Sequence, residues 1–399
     1  MSRPHDDEEG PSTGVPASGV SMIERTWPIV VRRARPEDRD AVLTFATATF
    51  DGWDYIPEVW EDWLVAGDGI FLVACVGSPA AGSEPAGREP RHAADREPRD
   101  AEGRPLPVGL PVAITRLARP SASEGWVEGI RVDPRVRGMS IATDLQVAEL
   151  RWAAAHGMRV IRYATGQSNV GSQRLGARHG FRVTGRWQRY GQDDYEAPGD
   201  ADERRERVMH ALETLARDGV VGTPGSGGSQ SSTAEAGAWQ WLSGDATFAA
   251  GNRLYECRHW CFCELTAELF EERARQGEVL VEDDGATRAL ALIDRQASLR
   301  DGALTVRVLS GDGGAAVRLL ERVRELGIAP AQVWLPDPDP PLLRGHEEAF
   351  AAAGYPPSRG RILMLERPMD AAHPVPAVDP SRLLLAEEPV ELVRPPSAG

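Results

Sequence analysis

Between Glu128 and Ala142 the chain reads EGIRVDPRVRGMSIA, which sets one carboxylate close to a small-residue turn rich in arginine. Strand-like alternation ends at Pro134, Arg135 and Arg137 follow, and Gly138, Ser140 and Ala142 lead into the helical run TDLQVAELRWAAAHG. A helix start of this kind presents unpaired amide N–H groups and the positive end of the helix dipole, and small residues leave room for a pyrophosphate to approach. Period-2 alternation places Glu128, Ile130 and Val132 on one face of the strand. A carboxylate there can accept a proton from an amine, or it can be an ordinary exposed strand carboxylate.

The elements around this segment occur in a recognisable order. A strand over Met158–Ala164 (MRVIRYA) is followed by Asn169 and a helix ending in His179-Gly180-Phe181. Across Val127–Phe181 the sequence resembles the GNAT acyltransferase superfamily, whose loop runs Arg or Gln, two residues, Gly, any residue, then Gly or Ala. Arg137, Ser140 and Ala142 stand in those places, with Ser replacing the second Gly, and Gly180-Phe181 matches the terminal signature. The resemblance implies acetyl-CoA as acyl donor and no metal. The donor is then held by the backbone of Ile130, Arg131 and Val132, by the loop and helix start at Arg137, Gly138, Met139, Ser140, Ile141 and Ala142, and by Asn169 and Ser172. It also implies that Glu128 is the proton acceptor and that Gly129 lets the strand bulge. Asn169 reads equally as a helix N-cap. Where the superfamily often carries a Tyr as acid for the departing thiolate, this chain has Gly176, which leaves Tyr163, Tyr190 and Tyr55 as substitutes or the thiolate leaving unaided.

A second resemblance lies upstream. Asp51-Gly52-Trp53-Asp54-Tyr55-Ile56-Pro57 is similar to the DGxDYLP segment of the histidine N-acetyltransferase-like, tandem-domain branch, which shares an EGxRV strand with residues 128–132. It implies an acceptor-binding wall from Asp51, Asp54 and Tyr55. Carboxylates and aromatics suit a cationic or zwitterionic amine. Trp60 and Trp63, at helical spacing, read as core residues.

Composition narrows the partners. The formal charge is −15 and all 45 basic residues are Arg, so the chain offers no lysine nucleophile or Schiff base and no basic footprint for nucleic acid or an anionic membrane. No apolar run reaches a membrane span, and the N-terminus lacks a signal pattern, so a cytoplasmic protein is expected. Four cysteines are too few for a disulfide scaffold. Cys257, Cys261 and Cys263, in CRHWCFC, lack paired zinc knuckles and read mainly as buried or weakly redox-active thiols.

The expected architecture is α/β (α+β), an acyltransferase fold followed by a second, degenerate copy. Residues 1–28 read as a disordered tail, 29–195 as the acyltransferase domain with a disordered insertion at 77–107, 196–236 as a charged helix and linker, 237–370 as the degenerate copy and 371–399 as a tail. In the second half, SGDGG (310–314) replaces the arginine-bearing loop and adds a carboxylate that repels pyrophosphate, so the donor is expected in the first half alone. The leading function is N-acetylation of a small amine or amino acid. The alternatives are a protein or peptide acetyltransferase and a non-catalytic acyl-CoA sensor; a homodimer is left open.

Overall fold

In a computed structural model the structure describes residues 23–49, 52–78, 97–191, 199–217, 230–328, 332–337 and 347–386. The first half runs β1 (Ile29–Arg33), α1 (Arg39–Leu43), α2 (Ile56–Val65), β2 (Gly69–Val76), β3 (Pro111–Ser121), β4 (Glu124–Val132), α3 (Ile141–Ala155), β5 (Val160–Gly166), α4 (Val170–Arg178), β6 (Arg182–Gly191) and α5 (Ala201–Arg217). The second runs α6 (Gln230–Gly244), α7 (Ala246–Ala250), β7 (Leu254–Arg258), β8 (Cys261–Glu264), α8 (Ala267–Arg275), β9 (Val279–Asp283), β10 (Arg288–Ile293), α9 (Arg295–Asp301), β11 (Val306–Gly311), α10 (Gly313–Glu325), β12 (Gln332–Pro336), α11 (Glu347–Ala352), β13 (Pro357–Pro368) and β14 (Leu383–Leu385). This is a mixed α/β architecture, as expected from the sequence.

The sheets do not divide at the linker. One sheet has the order β12-β6-β13-β5-β4-β3-β2-β1-β14, so strands from residues beyond 330 are built into the sheet of the first half. β13 lies between β5 and β6, antiparallel to both. A boundary at 237 therefore separates stretches of chain but not sheets. β9, β10 and β11 form a second sheet, and β7 with β8 a hairpin.

Two cores cover the faces of the large sheet in its first half. On one face α3 packs through Ile141, Leu145 and Leu150 onto Ile29, Leu117, Val127 and Ile161. On the other, α2 buries Ile56, Trp60 and Trp63 over Phe71, Val73 and Ile114, as the helical spacing of the two tryptophans predicts. The β7–β8 hairpin shares this second face, packing Cys261 and Phe262 on Ala118, Trp126 and Met364. Ile114, Arg116 and Ala118 alternate along β3. α2 thus covers one end of the row and the hairpin the other, with Arg116 between them.

Four expected mobile or linker stretches contain ordered parts. Within 77–107, residues 97–107 pack onto the domain: Leu106 is buried, the Trp27 indole donates to Arg99 O at 3.0 Å, and Ala101 N donates to Arg135 O at 2.9 Å. The rest of that insertion, 79–96, lies outside the described residues, as do 1–22, 218–229 and 387–399. Trp27 is buried within the expected N-terminal tail. β14, within the expected C-terminal tail, pairs in parallel with β1, and Arg382 reaches Asp144 on α3 at 3.3 Å. Residues 230–236, expected as linker, are the first turns of α6. Local composition there is turn-like, and tertiary partners distant in sequence order it.

Candidate functional site

The turn and helix start form where the sequence places them. A 3-10 turn at Pro134–Val136 is capped by Asp133, and the chain then passes through Gly138 (φ +80°) and Ser140 (φ +63°) into α3. Among the described residues the amides of Gly138, Ile141, Ala142 and Thr143 have no acceptor. A Cβ on Gly138 would meet nothing nearer than 3.9 Å, so the approach is open. Arg137 is exposed, and its Nε donates to Val132 O at 3.4 Å, which folds the guanidinium back over the loop. Met139 and Ile141 are buried, so these two can offer an anion only their backbone. A cavity of about 540 Å³ opens beside Ser140 and Thr143, walled by Arg178 and Arg382.

The strand ahead of this turn is both bulged and splayed. Ile114 pairs with Arg131 and Arg116 with Glu128, so two steps on β3 face three on β4. The extra residue falls at Gly129 (φ +69°), where a Cβ would lie 2.5 Å from the Trp63 ring. Only glycine suits both that backbone and that contact. The bulge also corrects the expected face assignment. Ile130 and Val132 pack on the α3 side, while Glu128 and Arg131 point to the α2 side, because the inserted residue reverses the alternation. β4 pairs with β5 only over Glu124–Trp126. Beyond Trp126 the two strands diverge, leaving the β5-facing edge of β4 without a strand partner.

Glu128 sits at the mouth of this opening. Its Oε1 accepts from Arg116, its cross-strand neighbour, and from Arg258 of the hairpin at 2.9 Å; its Oε2 has no partner among the described residues. Arg116 is held in turn by Asp68 and lies 5.5 Å over the Trp63 ring. Burial, and less strongly the charge of Glu128, push the Tyr55 phenol up, against the opposing Arg131 charge. Tyr55 packs edge-on to Trp63, the ring beneath the Arg116 that holds Glu128, so Tyr55 and Glu128 border one site. Asp54 does not open into it. Its carboxylate is fully buried, held by Arg131 (Nε to Oδ2 2.6 Å, Nη2 to Oδ1 3.0 Å) and by the Ile56 amide at 3.1 Å. Burial works against its charge, but these hydrogen bonds keep the Asp54 carboxyl below the usual range. Asp54 thus positions Arg131 beneath the Tyr55 ring, 5.1 Å away. Asp51 lies outside the described residues.

At the far side of the opening, Asn169 caps α4, its Oδ1 accepting from Ser172 N at 3.1 Å. Ser172 O accepts the Tyr163 hydroxyl at 2.9 Å. A Cβ on Gly176 would lie 2.1 Å from that hydroxyl oxygen, so Tyr163 fills from β5 the space in which a side chain at 176 would begin. Burial pushes the Tyr163 phenol up to about 12.

Residues 101–181 match the model of the acetyltransferase (GNAT) family. The chain carries a GNAT-family acetyltransferase domain. Solved structures similar to it include a GCN5-related N-acetyltransferase from Sphaerobacter thermophilus, at 16% identity over 89% of this chain and 98% of that one, TM-score 0.47. An IAA acetyltransferase from Bacillus cereus is 16% identical over 42% and 83%, TM-score 0.27. A GNAT family acetyltransferase from Elizabethkingia anophelis with acetyl-CoA bound is 14% identical over 43% and 88%, TM-score 0.27. Comparison with curated proteins gives no match.

Among the described residues the second half shows no equivalent opening beside its own turn. β11 and β12 are not paired, but α7 lies against both. Asp245 caps α7 through the amides of Thr247 and Phe248 and also accepts the Ser310 hydroxyl. At the start of α10, Asp312 takes the Ala315 amide at 3.1 Å, so a carboxylate already sits where an anion would bind. The three thiols of the hairpin cluster together. Cys257 and Cys261 have Sγ atoms 3.6 Å apart, and hydrogen bonding with Cys261 and then Cys263 holds the Cys257 thiol below its ordinary value.

Sequence reasoning missed Arg258. It lies 130 residues from Glu128, in a segment remarkable only for cysteines, and no local signal ties it to the acetyltransferase domain. Among the described residues no helix is long and apolar enough to cross a membrane, and no group of three or more His, Cys, Asp or Glu is set to hold a metal ion.

Proposed function

We propose that the chain transfers an acetyl group from acetyl-CoA to the amine of a small acceptor. The observation that carries this is the junction at β4, where a splayed strand edge meets a helix start with amides, and a carboxylate with one oxygen, that have no partner among the described residues, all within Glu128–Thr143. When bound, acetyl-CoA supplies the acetyl group as a thioester. The amides of Gly138, Ile141, Ala142 and Thr143, with Arg137, fit its pyrophosphate. Arg178 and Arg382 line the adjoining cavity together with Asp144 and Asp379, and the two guanidiniums are the groups there that fit its remaining phosphate. The open edge of Ile130–Val132 offers backbone groups to the pantetheine amides, as a sheet edge does to an added strand.

Glu128 Oε2 faces the acceptor side. There it takes the proton as the amine nitrogen bonds to the thioester carbon and the sulfur leaves as thiolate. Arg116 and Arg258 fix Oε1 and so aim Oε2. Tyr163, whose hydroxyl stands in the space beside Gly176, is the candidate acid for the thiolate. Tyr55, Trp53 and Trp63 form the aromatic wall. This wall comes from α2 and the residues just before it, and the β7–β8 hairpin adds Arg258 at Glu128, which favours an enclosed acceptor over a long peptide. Thiol release from acetyl-CoA, measured with free amino acids, polyamines and a lysine-bearing peptide, tests the reading. Release with small amines is expected. Tight CoA binding with no release for any acceptor would favour the sensor, and release with the peptide alone would favour a protein substrate.

A further inference from the structure

The acceptor side of the site is closed by a segment from the other half of the chain. Arg258, at the end of β7, hydrogen-bonds Glu128 Oε1 with one Nη at 2.9 Å, and its side chain is 36% exposed. Arg116, bonded to the same oxygen, is 3% exposed and also holds Asp68. The two guanidiniums are therefore not equivalent. Arg116 is spent within the protein, whereas the remaining N–H groups of Arg258 have no acceptor among the described residues, and neither has Glu128 Oε2 a partner there. An arginine fork with unused donors beside a carboxylate with an unused oxygen presents adjacent positive and negative groups. The complementary ligand carries an ammonium and a carboxylate on neighbouring atoms.

Resting on the acetyl-transfer reading above, we propose that Arg258 is the specificity-determining residue for the acceptor, and that the acceptor is an α-amino acid whose carboxylate it binds. The acceptor nitrogen then lies at Glu128 Oε2, and the carboxylate takes the free donors of the Arg258 guanidinium in a charge-assisted, two-point contact. A diamine is disfavoured, since its second cationic end meets the same guanidinium. The role also accounts for the packing of the hairpin. Phe262 and Cys261 are buried against Trp126 and Met364, which anchors β7 on the sheet of the first half and holds Arg258 over Glu128.

The test uses the full-length protein with matched probes: phenylalanine and phenethylamine, tyrosine and tyramine, tryptophan and tryptamine, histidine and histamine, arginine and agmatine. The unmodified chain should prefer at least one amino acid over its decarboxylated partner in kcat/KM. Arg258→Ala should lower that preference at least tenfold, chiefly through KM for the amino acid. Arg258→Lys should fall between the two, since it keeps the charge and loses the fork. CoA affinity, read by calorimetry on each variant, should be unchanged and reports that the domain is folded. Turnover of amines but no amino acids overturns carboxylate recognition while leaving acetyl transfer standing. A proportional loss for both members of a pair, in Ala and Lys variants alike, overturns it too, because Arg258 then only positions Glu128. No thiol release with any probe removes the underlying activity, and this proposal with it.

Discussion

At the residue scale, one buried carboxyl gives the fold a pH signature. Glu149, on α3, is wholly buried; Thr115 Oγ1 donates to its Oε1 at 2.5 Å, and Oε2 has no partner. Burial pushes its carboxyl up to about 8, against the opposing Thr115 hydrogen bond. The folded chain then holds a proton that the unfolded chain releases near the ordinary value of 4.5, so this contribution to stability is complete below that value and is lost as pH rises towards about 8. Glu149→Gln should flatten that part of the stability profile and leave the variant the more stable protein above pH 8, by roughly a few kcal/mol. Parallel denaturation profiles for the two proteins between pH 5 and 9 would contradict this. The same scale shows what sequence could disclose. Glu128, the loop glycine and the Asn169 cap were legible because strand, turn and helix are local patterns. The inversion of Ile130 and Val132 was not, since whether Gly129 actually bulges depends on Trp63 lying against it. Arg258 and the engagement of Asp54 by Arg131 are products of packing alone.

At the element scale, most strands and helices of the first half follow from alternation and helical spacing. β10, β11, α10, β12, α11 and β13 were likewise legible in the second half. α7, the β7–β8 hairpin and β14 were not, because each is short and is stabilised by a partner far along the chain. Nor could any periodicity reveal that β13 enters the sheet between β5 and β6, since its Ile362, Met364 and Leu365 would suit either half's core equally. That placement alters what truncation should do. A chain ending at residue 229 loses β13, which leaves the edges of β5 and β6 without a partner over seven residue pairs on each side. We expect such a chain to unfold without cooperativity or to aggregate, and to bind no CoA. A monomeric 1–229 fragment with a sharp thermal transition and retained CoA affinity would contradict the shared sheet.

At the scale of the whole molecule, the two halves arrange related elements to different ends. In each, a strand carrying a turn and a helix start stands beside a strand with which it is largely unpaired. In the first half that gap is open and bordered by Arg137; in the second α7 lies against both strands, and Asp312 claims the helix start. Acetyl-CoA should therefore titrate the full chain to one site. Two sites of comparable affinity in calorimetry would overturn that view of α7. The second half contributes instead through its strands in the common sheet and its hairpin over Glu128. The central claim is that this composite site performs acetyl transfer with Glu128 as proton acceptor, and kcat/KM of Glu128→Gln against the unmodified chain across pH tests it most directly. The account predicts a loss of about 10²-fold or more near neutral pH, unchanged CoA affinity, and a loss that shrinks as pH rises and the acceptor amine becomes neutral unaided. Equal rates for the two proteins at neutral pH would contradict it.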